Sequence, residues 1–379
     1  MNFQNFNLAY RYKSKKELKN SLIVFKIITS PFLVSLGSSL IKIAQRLKLP
    51  LKPFTANIYK HFCGGESLDD VIALSEKLSK YGVKSIPDYS VEGQAEEESF
   101  SKLENEVLKT IKIAHNNPDI PFAVFKPTGL VNPELLTKDS DIQNPEFKKF
   151  IERFNRIFSY ARELNVRVLV DAEDFVYQHK IDDTLLNFMK RYNKSFPVVF
   201  TTLQMYRTDR LDYLKFLLTE AEKNDFILGI KFVRGAYMEK ERAMAKKSNY
   251  PDPIYKTKVE TDNAYNSALK FAVENINRIN IFCATHNEES TLYLISLIDT
   301  LRISHSDERI FFSQLYGMRD NISFALASEG FNVAKYIPYG PVNKVIPYLI
   351  RRAQENSSAS SHSKSELAML KEVLKNKNN

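Results

Sequence analysis

Two adjacent arginines stand near the C-terminal end of the sequence, in the stretch YIPYGPVNKVIPYLIRRAQENSS at residues 336–358. A Pro/Gly turn opens a short amphipathic helix there. Helical spacing puts Tyr348 one turn before Arg351 and Arg352, and Glu355 one turn after them, so the four side chains crowd one region. Taken alone, such a pair reads as a solvated, salt-bridged helix end or as cations set aside for a function.

Other residues able to do chemistry recur at the ends of short apolar runs. Lys126 and Thr128, Asp171 and Glu173, Gln204, Arg234, Thr285 and His286, Gln314 and Tyr336 each follow such a run. The runs are GVKSIPDYS (82–90), FAVFKPTGL (122–130), VRVLVDAE (166–173), PVVFTTLQMY (197–206), ILGIKFVRGAY (227–237), NIFCATHN (280–287), RIFFSQLYG (309–317) and NVAKYIPYG (332–340). Between them lie segments of helical period, such as residues 144–165, where Phe147, Phe150, Ile151, Phe154, Ile157, Phe158 and Ala161 form one core-facing stripe. This alternation predicts an α/β fold built as a (βα)8 TIM-type barrel, whose strand C-termini carry the chemistry. Singly, each residue has a structural reading too. Asp171 and Glu173 could cap the next helix, His286 could be a core histidine, and Lys126 an exposed strand end. Their recurrence after successive strands favours function.

Before residue 80 the pattern is helical and predicts an N-terminal arm, so the expected division is 1–80 arm, 81–356 barrel and 357–379 flexible tail, with room in the tail for one short amphipathic helix. The apolar run at 22–44 is interrupted by Lys26, Pro31 and Gly37 and falls short of a spanning helix. It predicts helices that are buried or lie on a membrane surface. The formal net charge is +9, but no basic stripe with interleaved aromatics marks a nucleic-acid footprint. The surplus suits an anionic membrane surface or an acidic ligand. The two cysteines, Cys63 and Cys283, have no metal-ligand spacing and fit a reducing compartment. No metal site is expected. With no secretory or transit-like leader, the expected location is cytoplasmic, peripheral on the inner face of the membrane.

The sequence lacks G-x-G-x-x-G, G-x-x-x-x-G-K-[ST] and H-E-x-x-H, leaving a Rossmann site, a P-loop and a zincin unsupported. In contrast KFVRGAYMEKER, ATHNEES, QLYGM and KYIPYGPVNKVIPYLIRRAQENSS, in that order, resemble the signature segments of proline dehydrogenase over about residues 55–358. The likeness is to the monofunctional, mitochondrial-like branch. It implies a distorted barrel with FAD across its mouth. It implies that Arg351 and Arg352, helped by Lys126, grip the carboxylate of L-proline, with Leu315, Tyr336 and Tyr348 walling the ring. Glu355 would orient the arginines and face the flavin. Asp171 would tie the site together and help hold Tyr336. Lys231, where some relatives carry arginine, would stand beside the flavin N5. Gln204, Val233, Arg234, Gly235, Thr285 and His286 would hold the cofactor, Gly235 by allowing close approach. Asp171, Lys231, Tyr336 and Glu355 are the residues expected at the chemistry. That chemistry would be hydride transfer from proline C5, giving Δ1-pyrroline-5-carboxylate, with electrons passed to a membrane quinone.

Three rivals remain on the residues alone. A hydroxyproline dehydrogenase is disfavoured by Tyr336, since such relatives carry a smaller residue there. A barrel lyase would use Lys126 or Lys231 as a Schiff base and would need that lysine desolvated. A non-catalytic proline sensor is disfavoured by the intact flavin-side and clamp motifs.

Overall fold

The structure, a computed structural model, describes residues 1, 3–47, 52–91, 96–137, 143–358 and 360–376. The chain opens with helices α1 (Phe6–Tyr10), α2 (Lys15–Ile28), α3 (Pro31–Arg46), α4 (Lys52–Phe62) and α5 (Leu68–Ser79), then strand β1 (Val83–Tyr89) and α6 (Glu97–Asn116). It continues through β2 (Phe122–Phe125), α7 (Pro145–Glu163), β3 (Arg167–Val170), α8 (Phe175–Tyr192), β4 (Val199–Gln204), α9 (Arg210–Lys223) and β5 (Leu228–Val233). Helices α10 (Met238–Ser248) and α11 (Lys258–Glu274), β6 (Ile279–Ala284), α12 (Glu288–Thr300), β7 (Ile310–Leu315), α13 (Asp320–Ser328) and β8 (Val333–Tyr339) complete the alternation. Helices α14 (Val342–Ser358) and α15 (Ser360–Asn376) follow. Each apolar run picked out in the sequence holds one of the strands. The fold is α/β, a (βα)8 TIM-type barrel of parallel strands.

Two compact units make up the chain. The second, Gly93–Ser313 with Gly330–Asn332, contains β2 through β6 and most of β7, each paired in parallel with the next. These strands are buried along nearly their whole length, which is why they read as continuous apolar runs rather than alternating ones. The ring of Phe122 meets those of Phe200, Phe282 and Phe311 edge-on at 5.0–5.4 Å, closing the interior with aromatic packing. Outside, α7 starts where Asn144 caps and Pro145 fixes the first turn. Its stripe is buried as expected, except that Ile151 is half-buried.

The first unit, Met1–Glu92 with Gln314–Glu329 and Val333–Asn379, pairs β1 with β8. Capping boxes at Ser14/Glu17 and Ser67/Asp70 start α2 and α5. The interrupted apolar run divides at Ser30–Pro31 into α2 and α3, bent by 95° to one another. Among the described residues no single helix is long and apolar enough to cross a membrane. Helix α2 buries Leu18, Val24, Phe25 and Ile28, whereas α3 buries Val34 and exposes Phe32, Leu33, Leu36 and Leu40. The stretch expected as a flexible tail contains α15, whose Met369, Leu370, Val373 and Leu374 are buried in a cluster with Leu18, Val24 and Phe25 of α2. A helical apolar repeat inside a Ser/Lys-rich composition is what makes this docking possible.

At the centre of this unit Asp320, 2 % exposed, lies between Lys13 at 3.0 Å and Lys335 at 2.9 Å, and accepts a hydrogen bond from the Tyr12 hydroxyl at 2.9 Å. Burial alone would raise the Asp320 carboxyl, but the two lysines hold it well below the usual carboxylate range.

Candidate active site

The expected site residues fall into three groups. Two lie in the second unit. At the end of β3, Asp171 accepts from Lys231 Nζ at 2.6 Å and has Lys126 Nζ at 3.9 Å. Its backbone N–H donates to the Phe125 carbonyl at 3.0 Å, which anchors the carboxylate beside β2. Lys231 comes from β5 and is buried; Asp171 and Lys126 are half-buried.

Two residues beyond Asp171, Glu173 is buried and accepts from the Thr128 hydroxyl at 2.6 Å and the Thr128 backbone N–H at 3.2 Å. Its own N–H donates to Gln178 Oε1 at 2.7 Å. Burial pushes the carboxyl up to about 7, against the downward pull of Thr128 and Lys126. Glu173 stands among the strand-end acids in the sequence but the resemblance gives it no role, although the Asp-x-Glu spacing, which puts both acids on one side of an extended chain, was a signal for it. Gln204, at the end of β4, donates from Nε2 to the Glu173 carbonyl at 3.2 Å, while its Oε1 is buried without a hydrogen-bonding partner among the described residues.

The second group is organised by Arg234, immediately after β5. Its Nε donates to Asp262 at 2.7 Å, one terminal nitrogen to the Thr285 hydroxyl at 2.7 Å and the other to the Ser290 hydroxyl at 2.8 Å. The guanidinium also lies over the Tyr265 ring, 4.4 Å from its centroid. This arginine therefore braces β5 against α11, the end of β6 and the start of α12, with N–H groups still to offer. Thr285 and half-buried His286 lead into α12, whose N-cap Asn287 accepts from the Ser290 N–H. A helix N-terminus beside an arginine is suited to a phosphate-bearing group.

Gly235 has φ +129°, and a Cβ there would fall 2.5 Å from the Tyr206 ring. The close approach it permits is thus to Tyr206, a neighbour no local pattern announces. Val233 ends β5 half-buried.

The third group lies in the first unit. Tyr336 is buried in β8, its carbonyl accepting from the Tyr316 N–H at 2.9 Å. On α14 the Arg352 guanidinium sits 5.2 Å from the centroid of the Tyr348 ring, the one-turn contact expected from spacing. Arg352 and Tyr348 are buried and Arg351 is half-buried, which a purely solvated helix end would not require. Leu315, at the end of β7, packs half-buried against the apolar cluster that includes Tyr348. Glu355 lies outside the described side chains.

A family model described as Proline dehydrogenase matches residues 71–365. The chain belongs to the proline dehydrogenase family. It is 32 % identical over 419 residues to Proline dehydrogenase 1, mitochondrial, of Dictyostelium discoideum, covering 97 % of this chain and 73 % of that protein. It is 37 % identical over 319 residues to the carbapenem antibiotics biosynthesis protein CarD of Pectobacterium carotovorum subsp. carotovorum, covering 83 % and 82 %. A hydroxyproline dehydrogenase of Xenopus laevis is 29 % identical over 411 residues, covering 97 % and 88 %. Among solved structures, proline utilization A from Bdellovibrio bacteriovorus inactivated by N-propargylglycine superposes with a TM-score of 0.72 at 21 % identity, over 94 % of this chain. This chain spans 38 % of that longer protein, and the likeness concerns the fold. The family membership makes the chain an enzyme of proline oxidation in catabolism, in a family that is flavin-dependent in general.

The residues present fit a flavin nucleotide. The unpartnered buried Gln204 Oε1 asks for an N–H donor, and the Arg234–α12 corner offers donors to an anionic group.

Proposed function

We propose that this chain oxidises L-proline to Δ1-pyrroline-5-carboxylate and passes the electrons to a membrane quinone. FAD, when bound, supplies at N5 the acceptor for the hydride leaving C5 of proline. Gln204, Val233, Arg234, Gly235, Thr285 and His286 hold the cofactor, and Lys231 adds positive charge near it. A point-charge ammonium fixed by Asp171 at 2.6 Å replaces the arginine fork found in some relatives.

Arg351 and Arg352 grip the substrate carboxylate with charge-assisted bonds, and Lys126 adds a third cation. The Tyr348 ring under Arg352 fixes the plane of one guanidinium before substrate arrives, so less freedom is lost on binding. Tyr336, Tyr348 and Leu315 wall the pyrrolidine ring and exclude water. Tyr336 also favours proline over its hydroxylated analogue. Glu355 orients the arginine pair. Asp171 keeps Lys126 and Lys231 in register, and Lys231, as its ion-pair partner, is not the free amine that a Schiff-base lyase needs. The observation that carries the reading is the buried arginine–tyrosine stack in a chain of this family.

The test is anaerobic titration of the purified protein with L-proline. A flavin spectrum that bleaches is expected, and NAD should not be reduced. A folded protein that neither carries nor takes up FAD would overturn the assignment.

Membrane contact belongs to α3 in this proposal. Its exposed Phe32, Leu33, Leu36 and Leu40, on a chain of net charge +9, suit the surface of an anionic cytoplasmic leaflet. Flotation with anionic liposomes should weaken with salt and in Leu36→Ser/Leu40→Ser. Equal recovery with neutral liposomes would remove this part of the proposal.

A further inference from the structure

A pocket of about 370 Å³ in the first unit is formed by residues that proline oxidation does not use. Helix α2 contributes Lys16, Asn20 and Ser21, α4 contributes Asn57, Lys60 and His61, and the segment before α2 contributes Lys13. The size is at the low end for small-molecule sites, which run from roughly 300 to 1,000 Å³. It is right for a small charged group and too small for a dinucleotide.

The charge around it is unbalanced in one direction. Lys13 is buried, 3.0 Å from Asp320 and within 5.4 Å of the centroids of the Tyr10 and Tyr12 rings, so its ammonium is fixed in place. Asp320 must also answer Lys335 at 2.9 Å, so its carboxylate is shared between two buried ammonium groups. Glu17 lines the pocket too, but its carboxylate accepts from Lys77 at 2.6 Å and from the Ser14 N–H at 2.6 Å, and is committed to the start of α2. Lys16 and Lys60, both exposed, add two more cations. His61 feels the result: burial first, then Lys13, hold its imidazole down to about 3, so it stays neutral. The Ser21 hydroxyl, 3.2 Å from His61 Nδ1, and the amides of Asn20 and Asn57 supply neutral polar groups.

Among the described residues the lining holds no arginine, and so no planar fork of the kind that selects carboxylates. Separate ammonium groups converging on one cavity suit a tetrahedral oxyanion, for which lysine acts as a point charge. We propose that this pocket binds a phosphate group, carried by a small metabolite or by a lipid headgroup, with Lys13, Lys16 and Lys60 as its cationic wall. The exposed apolar side chain of Ile23 on α2 and those of α3 give the lipid source a neighbouring anchor.

The experiment uses the full chain and the variant Lys16→Ala/Lys60→Ala, whose exposed positions leave folding intact; Lys13→Met is a second variant that tests the buried cation. Binding of inorganic phosphate and glycerol 3-phosphate is read by calorimetry and by thermal shift against chloride at equal ionic strength. Retention is read on vesicles containing phosphatidic acid, against oleate vesicles of matched surface charge. A soluble source gives phosphate-specific stabilisation, weakened about tenfold or more in the double variant. A lipid source gives retention specific to phosphatidic acid and lost in the same variant. Chloride matching phosphate, together with equal retention on both vesicles, overturns the proposal, as does a double variant that binds like the wild type. Proline oxidation should be unchanged in Lys16→Ala/Lys60→Ala, which separates this outcome from any failure of the catalytic assignment.

Discussion

The two units each contain one aspartate facing two lysines, and they use it differently. In the first unit Asp320 is 2 % exposed, both lysines lie within 3.0 Å, and a tyrosine hydroxyl completes its shell. In the second, Asp171 is 15 % exposed, Lys231 is at 2.6 Å and Lys126 stands off at 3.9 Å. The closed assembly seals the Asp320 carboxylate itself from a visitor, leaving only Lys13 on the edge of a pocket, and ties the segment before α2 to α13 and β8. In the half-open one Lys126 lies within reach of solvent, the condition for an incoming anion to approach it. Equal charge arithmetic thus gives a structural hub in one place and a candidate for catalysis in the other, and the deciding variable is access.

The largest contrast should come from removing each aspartate. Asp320→Asn removes the carboxylate that both buried ammonium groups bond directly and should cost about 3–5 kcal/mol by urea unfolding. Asp171→Asn, where water can reach the site, should cost about 1–2 kcal/mol but lower kcat/KM about a hundredfold. Equal stability losses with equal activity would break the comparison.

A smaller effect, present in both units, depends on pH. Glu173 is raised by burial from an ordinary 4.5 to about 7, so between those values the folded state keeps a proton that the unfolded chain releases. Its contribution to stability is complete below pH 4.5 and falls by about 3 kcal/mol as pH rises through 7. Glu366 of the first unit, raised by burial to about 7, slopes the same way, whereas Asp320, held low, loses its contribution only as pH falls below the ordinary carboxylate range. Glu173→Gln and Glu366→Gln should each flatten part of the decline measured by unfolding at pH 5 and pH 8, and a wild-type protein with no decline would refute both.

The arginine pair gives the finest comparison. Loss of a charge-assisted contact in Arg351→Met or Arg352→Met should lower kcat/KM about tenfold to a hundredfold, with flavin absorbance near normal and unfolding of the Arg351 variant within about 1 kcal/mol. Arg352→Lys should recover only part, because an ammonium neither forks nor stacks on Tyr348 as a guanidinium does. Wild-type kinetics in both methionine variants would return the pair to a structural role.

Much of this could be read from the sequence because it is local. Each strand announced itself as a short apolar run between turn residues, and the Tyr348–Arg352 stack follows from helical spacing. Asp320 did not, since Lys13 reaches it from the far end of the sequence, Lys335 comes from the next strand, and an acidic residue in the first turn of a helix is an ordinary placement. Nor could spacing reveal that Gly235 makes room for Tyr206, or that α15 docks on α2. Such facts depend on which surfaces meet: the sequence left room for a short helix in the tail but carried no sign of the cluster it joins. The site motifs were legible through resemblance, while Glu173 needed its burial to be seen.

The first unit is assembled from both ends of the chain: α2 and α15 share one apolar cluster, while Gly93–Ser313 form the second unit between them. During translation at about 5–20 residues per second, α2 therefore emerges roughly fifteen to sixty seconds before β8, which closes its unit, and α15 follows later still. The second unit can fold in that interval from contiguous chain, but Leu18, Val24 and Phe25 must wait with their partners unmade. The nascent arm is the segment on which a holding chaperone, or a premature encounter with a lipid surface, would act first.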